Sequence, residues 1–234
     1  MRKEIAVLLA AGLGSRLLPL TEKVPKPLIR VHGVPMIETM IAGLKRRKIS
    51  EIYVITGHLK EQFMYLEDKY PGLQLIWNPD YLQKNNISSI YAAVDRLPSA
   101  DCFICESDVY VSDLGIFDEV PDKSCYYGKY VSGYSNDWGF DLDSQGRITK
   151  VYKGCTNRYN MVGVAFFRKK DAAVLAEKII KEYALEENAD LFWDEVVDKY
   201  VTELDMRIKP VSESQLTEID TLEELITVDQ SYGK

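Results

Sequence analysis

The sequence has no long apolar run. Its longest apolar segments, such as residues 5–11, have the length of a β-strand, whereas a membrane-spanning helix needs about 20 apolar residues. The apolar segment after the first four residues is short for a signal peptide, and no small-residue cleavage site follows it. We therefore expect a cytoplasmic globular protein with no membrane partner.

The chain also lacks an excess of positive charge. Its 29 lysine and arginine residues are outnumbered by 36 aspartate and glutamate residues, which gives a net charge of −7. Because nucleic-acid binding requires a basic surface, this balance argues against a nucleic-acid partner. It does not exclude one anionic ligand that a few local cations hold.

Cysteine is scarce, and its spacing does not indicate a metal site. The cysteines are Cys102, Cys105, Cys125 and Cys155, of which only the first two have a CxxC spacing. Both lie in the apolar segment 101–105, a predicted strand, where residues three apart point to opposite faces. We interpret all four as small buried residues.

Apolar periodicity in the first half of the chain predicts alternating strands and helices. The predicted strands are residues 5–11, 51–56, 73–77 and 102–105, and the predicted helices are residues 35–48, 59–69 and 87–96. This alternation is typical of an α/β fold with a mostly parallel central sheet flanked by helices. A length of 234 residues suits a single domain.

The pattern changes after Tyr110, where short β-like segments dominate. They are residues 125–131, 139–142, 148–152 and 161–167, with a turn at residues 143–146. The remaining predicted elements are helices at 169–184 and 191–200, a strand at 206–211, and a helix from Leu222. This part of the chain therefore predicts a small β-rich insertion.

Two glycines, an arginine and a lysine follow the first predicted strand. Residues 9–28 read LAAGLGSRLLPLTEKVPKPL and include Gly12, Gly14, Arg16 and Lys26. Glycines after a buried strand let the backbone approach a ligand and direct N–H groups at anions. A dinucleotide fingerprint would need a third glycine where Leu17 stands, and a Walker loop would need lysine directly after its last glycine. The segment is neither of these phosphate-binding motifs.

The same residues match the pattern LAAGxGxRLxPxTxxxPKPL. This pattern resembles the signature of nucleotidyltransferases that couple a nucleoside triphosphate to a phosphorylated small molecule. The resemblance covers nearly the whole chain. It implies a Rossmann-like nucleotidyltransferase fold in one domain, residues 1–234, with a nucleotide-binding part at about 1–110 and an acceptor-binding part at about 111–234.

The chemistry of nucleotidyl transfer accounts for the two cations. An α-phosphoryl group moves between two anions, so catalysis is mostly positioning and charge neutralisation. The Arg16 guanidinium suits two oxygens of the leaving pyrophosphate. Lys26, restricted by Pro25 and Pro27, would neutralise the α-phosphate and the acceptor phosphate. The resemblance also implies nucleotide contacts at Leu9, Ala11, Gly12 and Gly14.

Two carboxylate pairs follow predicted strands. Glu106 and Asp108 come after the fourth strand, and Glu218 and Asp220 come after the last one. Ligands of open α/β sheets bind at the carboxyl ends of strands, where these carboxylates lie. A divalent cation held by carboxylates commonly neutralises the repulsion between phosphate groups. The resemblance implies Mg²⁺ held by Asp108, with Asp220 first and Glu218 second completing the site. The alternative for Asp220 is a helix N-cap.

Shorter segments resemble the bacterial CTP:phosphocholine cytidylyltransferases. They are residues 57–63 (GHLKEQF), 85–89 (NNISS), 136–138 (NDW), 192–194 (FWD) and 218–220 (EID). Hexose-phosphate members usually carry a glycine-rich base-binding segment where this chain has residues 86–89. The resemblance therefore implies CTP, with further nucleotide contacts at Gly57, Asn86, Ser88 and Ser89.

Aromatic residues beside aspartates favour an amine as the acceptor. A quaternary ammonium has no N–H donor, so proteins bind it with aromatic faces and nearby carboxylates. The candidates, besides Lys26 for the phosphate, are Asp137, Trp138, Phe192, Trp193 and Asp194, with Tyr110 and Tyr130 as further walls. For each aromatic residue the alternative interpretation is a position in the core.

The favoured function is Mg²⁺-dependent transfer of CMP from CTP to phosphocholine, which gives CDP-choline and pyrophosphate. A related group acts on 2-aminoethylphosphonate and also tends to carry Glu-Ser-Asp after this strand, and its primary amine favours carboxylates. The acceptor thus stays open between phosphocholine, 2-aminoethylphosphonate and phosphoethanolamine. Further alternatives are a sugar-1-phosphate nucleotidyltransferase that uses UTP or dTTP, and an inactive nucleotide-binding regulatory subunit.

Overall fold

A seven-stranded sheet forms the centre of the molecule in the computed structural model, which describes residues 2–233. The strands of the described residues, both inside and outside this sheet, are β1 (Glu4–Ala10), β2 (Arg30–Val31), β3 (Val34–Pro35), β4 (Glu51–Thr56), β5 (Leu73–Trp77), β6 (Asp101–Glu106), β7 (Val109–Val111), β8 (Ser124–Leu142), β9 (Ile148–Phe167), β10 (Met206–Pro210) and β11 (Leu216–Glu218). The helices are α1 (Met36–Arg46), α2 (Tyr65–Lys69), α3 (Ile87–Ala92), α4 (Lys169–Tyr183), α5 (Trp193–Lys199) and α6 (Leu222–Val228).

The sheet has the strand order β10-β8-β9-β6-β1-β4-β5. The contacts of β9 with β6 and β8 are antiparallel, and the other contacts in this sheet are parallel. β7 and β11 form a separate antiparallel pair, as do β2 and β3. The predicted α/β fold with a mostly parallel central sheet is confirmed.

Helices cover both faces of the sheet, and the side chains of β1 alternate between two cores. Val7 and Leu9 pack with residues of α3, α4 and α5, whereas Ala6 and Leu8 pack with residues of α1 and α2. A strand that is buried on both faces needs an uninterrupted apolar sequence, which explains the first apolar run of the chain.

The cysteines follow the same alternation. Cys102 belongs to one core and Cys105 to the other, as the spacing predicts. All four cysteines are free and buried. Burial raises the pKa of the Cys102 and Cys105 thiols, which favours the neutral form.

The region after Tyr110 differs from its prediction. Instead of four short strands, β8 and β9 form one long hairpin that closes through the predicted turn, where the Gly146 N–H donates to the Asp143 carbonyl. Polar residues interrupt the apolar pattern in the outer half of the hairpin. The backbone ladder nevertheless continues through several register shifts, because it does not depend on apolar side chains.

Helix boundaries also differ in places. The predicted helix 59–69 divides: Leu59, with a φ of 50°, lies outside it, residues Lys60–Phe63 form a short 3₁₀ turn, and α2 begins only at Tyr65. The predicted helix 87–96 ends early, at Ala92. Among residues 2–233, every helix is too short or too polar to pass through a lipid bilayer.

Candidate active site

The glycine-rich loop follows β1 directly. Gly14 has a φ of 64°, and a Cβ there would lie 2.9 Å from Cβ of Lys26 and 2.9 Å from Cγ2 of Thr21. Backbone conformation and packing therefore both require glycine at this position. A Cβ on Gly12 would meet no protein atom within 4 Å, so this glycine leaves space toward the cleft.

A cavity of about 220 Å³ lies beside this loop, at the carboxyl ends of β1 and β6. It brings together most of the predicted nucleotide contacts: Leu9, Ala11, Gly12, Gly14, Arg16, Asn86 and Ser89. Ala10, Ser15, Pro27 and Glu106 also line it, without having been predicted. We refer to it as the first cavity.

Two predicted nucleotide contacts, Gly57 and Ser88, lie behind the wall of the first cavity. A Cβ on Gly57 would come 2.6 Å from the Ala11 carbonyl oxygen, so this glycine allows the loop after β4 to approach the loop after β1. Ser88 is buried, and its hydroxyl accepts from Nδ2 of Asn78 at 2.8 Å and donates to the Asn85 carbonyl at 2.8 Å. Gly57 and Ser88 thus shape the cavity without lining it.

Lys26 joins two of the predicted metal ligands. Its Nζ lies 2.8 Å from Oδ2 of Asp108 and 2.5 Å from Oδ1 of Asp220. Burial opposes the charged form, but the two carboxylates outweigh it and raise the pKa of Lys26. Arg16 binds the other Asp220 oxygen, with Nη1 2.7 Å from Oδ2. The cations and carboxylates that the sequence places far apart therefore form one cluster.

The three predicted metal ligands meet at this cluster. Asp108, Glu218 and Asp220 each offer a carboxylate oxygen within 4.8 Å of the others. Ile219 is buried under the loop with Leu17, so its neighbours on either side face the cleft. Desolvation by the cleft walls and the charges of Asp108 and Asp220 raise the pKa of Glu218 to about 8. The buried Oδ1 of Asp108 has no hydrogen-bond partner within residues 2–233.

Asp220 does not cap the last helix. Thr221 is the N-cap of α6, and its hydroxyl accepts from the Glu224 N–H at 3.2 Å. Asp220 contributes only its backbone N–H to this capping box, at 2.7 Å from Oε2 of Glu224. Its carboxylate is therefore available to the cleft.

A second cavity of about 430 Å³ continues from the first toward the β8–β9 hairpin. The two cavities share Arg16, Asn86, Glu106, Asp108 and Asp220. The predicted acceptor contacts that line the second cavity are Asp137, Trp138, Phe192 and Asp194. The rings of Trp138 and Phe192 meet edge to face, with centroids 5.6 Å apart.

Trp193 lies in the core and not in the second cavity. It is 2% exposed and stacks on Tyr126 at a centroid distance of 5.9 Å. Phe192 precedes α5 and Trp193 begins it, so these sequence neighbours point in different directions. The Trp193 indole still reaches the site from behind, because its Nε1 donates to Oε1 of Glu106 at 3.5 Å.

The two predicted tyrosine walls also lie elsewhere. Tyr110 packs beside the apolar cluster under the glycine-rich loop, 5.9 Å from the His32 ring. Tyr130 is exposed on the hairpin, packs against Tyr159, and lines a separate groove. Neither side chain lines the second cavity.

Two further carboxyl groups, those of the buried Asp194 and the half-buried Glu106, line the second cavity. Burial raises the pKa of Asp194 to about 7, and its Oδ1 accepts from the Tyr126 hydroxyl at 2.9 Å. Burial and the charges of Asp108 and Asp194 raise the pKa of Glu106 well above its usual range. Glu106 was missed as a site residue, although its spacing of two from Asp108 at a strand end could have revealed it.

Lys153 is a second missed residue. It lines the second cavity, with its Nζ 4.8 Å from the Trp138 ring centroid and 4.2 Å from the Phe192 ring centroid. It pairs with Trp138 across the β8–β9 ladder. No signal in the sequence reveals this contact, because it depends on the hairpin register.

Known proteins resemble this chain both in sequence and in fold. The family model described as the MobA-like NTP transferase domain matches residues 6–120. The 2-aminoethylphosphonate cytidylyltransferase of Lancefieldella rimae is 48% identical over 230 residues, which cover 98% of this chain and 94% of that protein. The choline-phosphate cytidylyltransferase of Streptococcus pneumoniae is 33% identical over 219 residues, which cover 94% of each protein.

The fold agrees with these similarities. The solved structure of CTP:phosphocholine cytidylyltransferase from Streptococcus pneumoniae matches this chain with a TM-score of 0.89 at 31% identity, and the match covers 99% of each chain. The predicted nucleotidyltransferase fold is therefore confirmed.

Proposed function

Because the chain belongs to the nucleotidyltransferase family with a MobA-like NTP transferase domain and is a cytidylyltransferase, we propose that it transfers CMP from CTP to 2-aminoethylphosphonate. A phosphonate oxygen of the acceptor attacks the α-phosphorus of CTP, the bond to the bridging β-phosphate oxygen breaks, and pyrophosphate leaves. No side-chain nucleophile is required, so catalysis rests on positioning and charge neutralisation.

The acidic lining of the second cavity is the observation that carries the acceptor assignment. Glu106, Asp137 and Asp194 line it in addition to the three candidate metal ligands. A primary ammonium has three N–H donors, for which carboxyl oxygens are suitable acceptors, whereas a trimethylammonium has none. The relative in Lancefieldella rimae, named for 2-aminoethylphosphonate, supports the same acceptor.

Phosphocholine, which the sequence motifs favour, is the second candidate. Trp138 and Phe192 offer aromatic faces that suit a quaternary ammonium, and the Streptococcus pneumoniae relatives are named for this acceptor. Phosphoethanolamine shares the primary ammonium of the proposed acceptor. A hexose-1-phosphate is disfavoured because it brings no cation to the acidic lining.

We assign CTP to the first cavity and the acceptor to the second. Arg16 lines both and would bind the departing pyrophosphate. Lys26 lies at the carboxylate cluster where the cavities meet, so its ammonium would neutralise the α-phosphate and the attacking phosphonate. The assembly of Arg16, Lys26, Asp108 and Asp220 in one cluster argues against an inactive regulatory subunit.

Mg²⁺ fits the carboxylate cluster. Oxygen atoms are its preferred ligands. The unpartnered Oδ1 of Asp108 and the raised pKa of Glu218 indicate that the negative charge of this cluster is not fully compensated by Lys26 and Arg16. Asp108, Glu218 and Asp220 would hold the ion. When bound, it would neutralise phosphate charge, while Arg16 and Lys26 would become available to phosphate oxygens.

A pyrophosphate-release screen tests the reaction. Each of the four nucleoside triphosphates is combined with 2-aminoethylphosphonate, phosphoethanolamine, phosphocholine or a hexose-1-phosphate in the presence of Mg²⁺. We expect the highest kcat/KM for CTP with 2-aminoethylphosphonate. Asp108→Asn should abolish release, whereas the control Asp118→Asn, at an exposed surface ion pair with Arg46, should not change it. Preference for UTP or for a hexose-1-phosphate would refute the proposal.

A further inference from the structure

A cation of the chain itself lies against the aromatic corner of the second cavity. The Lys153 ammonium is 4.8 Å from the Trp138 ring centroid and 4.2 Å from the Phe192 ring centroid. Both distances fall within the range of about 6 Å for cation–π attraction. The two rings and the ammonium therefore form a contact of the kind that an amine substrate would make.

Strand pairing places the exposed Lys153 beside this corner. Lys153 on β9 is the cross-strand partner of Trp138 on β8, and directly opposed residues in an antiparallel pair have adjacent side chains. Phe192 comes from a different part of the chain, directly before α5, and its ring meets that of Trp138.

We propose, on the basis of the proposed acceptor, that Lys153 is a specificity-determining residue that excludes quaternary ammonium groups. A trimethylammonium group can gain cation–π attraction only from the ring faces, which Lys153 already holds. A primary ammonium can instead donate hydrogen bonds to Glu106 or Asp137 and leave Lys153 in place. Charge repulsion by Lys153 acts on both amines, so the discrimination comes from access to the rings.

Three variants separate this role from a general effect of charge. Lys153→Ala removes the ammonium and frees both rings, whereas Lys153→Arg keeps a cation over them. Lys150→Ala is the matched control, because Lys150 is an exposed lysine on the same strand whose ammonium lies over Tyr152, outside the second cavity. All three variants are compared with the wild type.

Binding is measured by calorimetric titration of phosphocholine and of 2-aminoethylphosphonate, with the non-transferable analogue α,β-methylene-CTP present throughout. In Lys153→Ala we expect the Kd for phosphocholine to fall about tenfold, equivalent to about 1.4 kcal/mol, while the Kd for 2-aminoethylphosphonate changes less than about threefold. Lys153→Arg and Lys150→Ala should keep the wild-type ratio of the two constants.

An unchanged phosphocholine Kd in Lys153→Ala, or an equal gain for both amines, would overturn the proposal for Lys153. These titrations need no turnover. The preference of the wild type tests the proposed acceptor, and the change of preference in Lys153→Ala tests Lys153. A failure of the proposed acceptor and a failure of the proposed role of Lys153 would therefore appear in separate measurements.

Discussion

Replacing Lys26 with methionine removes one ammonium from the centre of the site and keeps a side chain of similar length. In the structure this side chain is 9% exposed, with its Nζ 2.8 Å from Asp108 and 2.5 Å from Asp220. The variant therefore leaves two neighbouring carboxylates without their shared cation. Both stability and catalysis should respond, for the same electrostatic reason.

The size of the effect follows from burial. Removing one partner of a buried ion pair costs about 3–5 kcal/mol, because the remaining charge is uncompensated. The side chains of Asp108 and Asp220 are 21% and 18% exposed, so water compensates part of this cost. We expect the free energy of unfolding to fall by about 2–4 kcal/mol in the absence of divalent ions. CMP transfer should fall about 10²- to 10³-fold.

Urea denaturation in EDTA and in Mg²⁺ measures the stability of Lys26→Met, and pyrophosphate release measures its activity. Mg²⁺ should restore most of the lost stability, because the ion binds the native carboxylates and neutralises them. Lys23→Met, at an exposed position of the same loop, serves as the control. An equal loss of stability in EDTA and in Mg²⁺, or undiminished transfer, would refute this reasoning.

Three further variants test other parts of the site. Gly14→Ala should lower the free energy of unfolding by about 2–4 kcal/mol in urea denaturation, because the new Cβ meets both the positive φ and packed neighbours. Trp138→Ala should raise the KM for the acceptor far more than the KM for CTP in steady-state kinetics. The control Trp77→Ala, at an exposed position, should change neither KM. An equal rise of both KM values in Trp138→Ala would contradict the assignment of Trp138 to the acceptor site. Because burial raises the pKa of Asp194 from 3.8 to about 7, the folded protein holds a proton that the unfolded chain releases. The free energy of unfolding should therefore decline as the pH rises from 4 to 7, and Asp194 should contribute up to about 4 kcal/mol of this decline. Urea denaturation at the two pH values should show that Asp194→Asn removes this contribution.

The part of the site built on regular strand ends could be predicted from the sequence. The glycines after β1 and Asp108 after β6 follow short apolar segments, and parallel strands bring such positions to one edge of a sheet. Asp220 follows β11, which pairs antiparallel with β7 outside this sheet, so its place in the site was expected only from the family resemblance. Local sequence pattern and global fold agree there, so distant residues could be placed together before any contact was known.

The acceptor side could be predicted only in part, because it depends on side-chain direction and on strand register. Phe192 and Trp193 are neighbours of similar chemistry, yet one lines the cavity and the other lies in the core. Lys153 reaches the rings only because several register shifts in the hairpin place it opposite Trp138. Such irregularities have no periodic signature in the sequence.

The acceptor assignment is tested most directly by competition. Equal concentrations of 2-aminoethylphosphonate and phosphocholine are incubated with the wild-type protein, limiting CTP and Mg²⁺, and the two CMP products are quantified by ³¹P NMR. While both acceptors remain in excess, the product ratio equals the ratio of their kcat/KM values. We expect the CMP–phosphonate product to predominate at least about tenfold. An equal mixture, or an excess of CDP-choline, would contradict the proposed function.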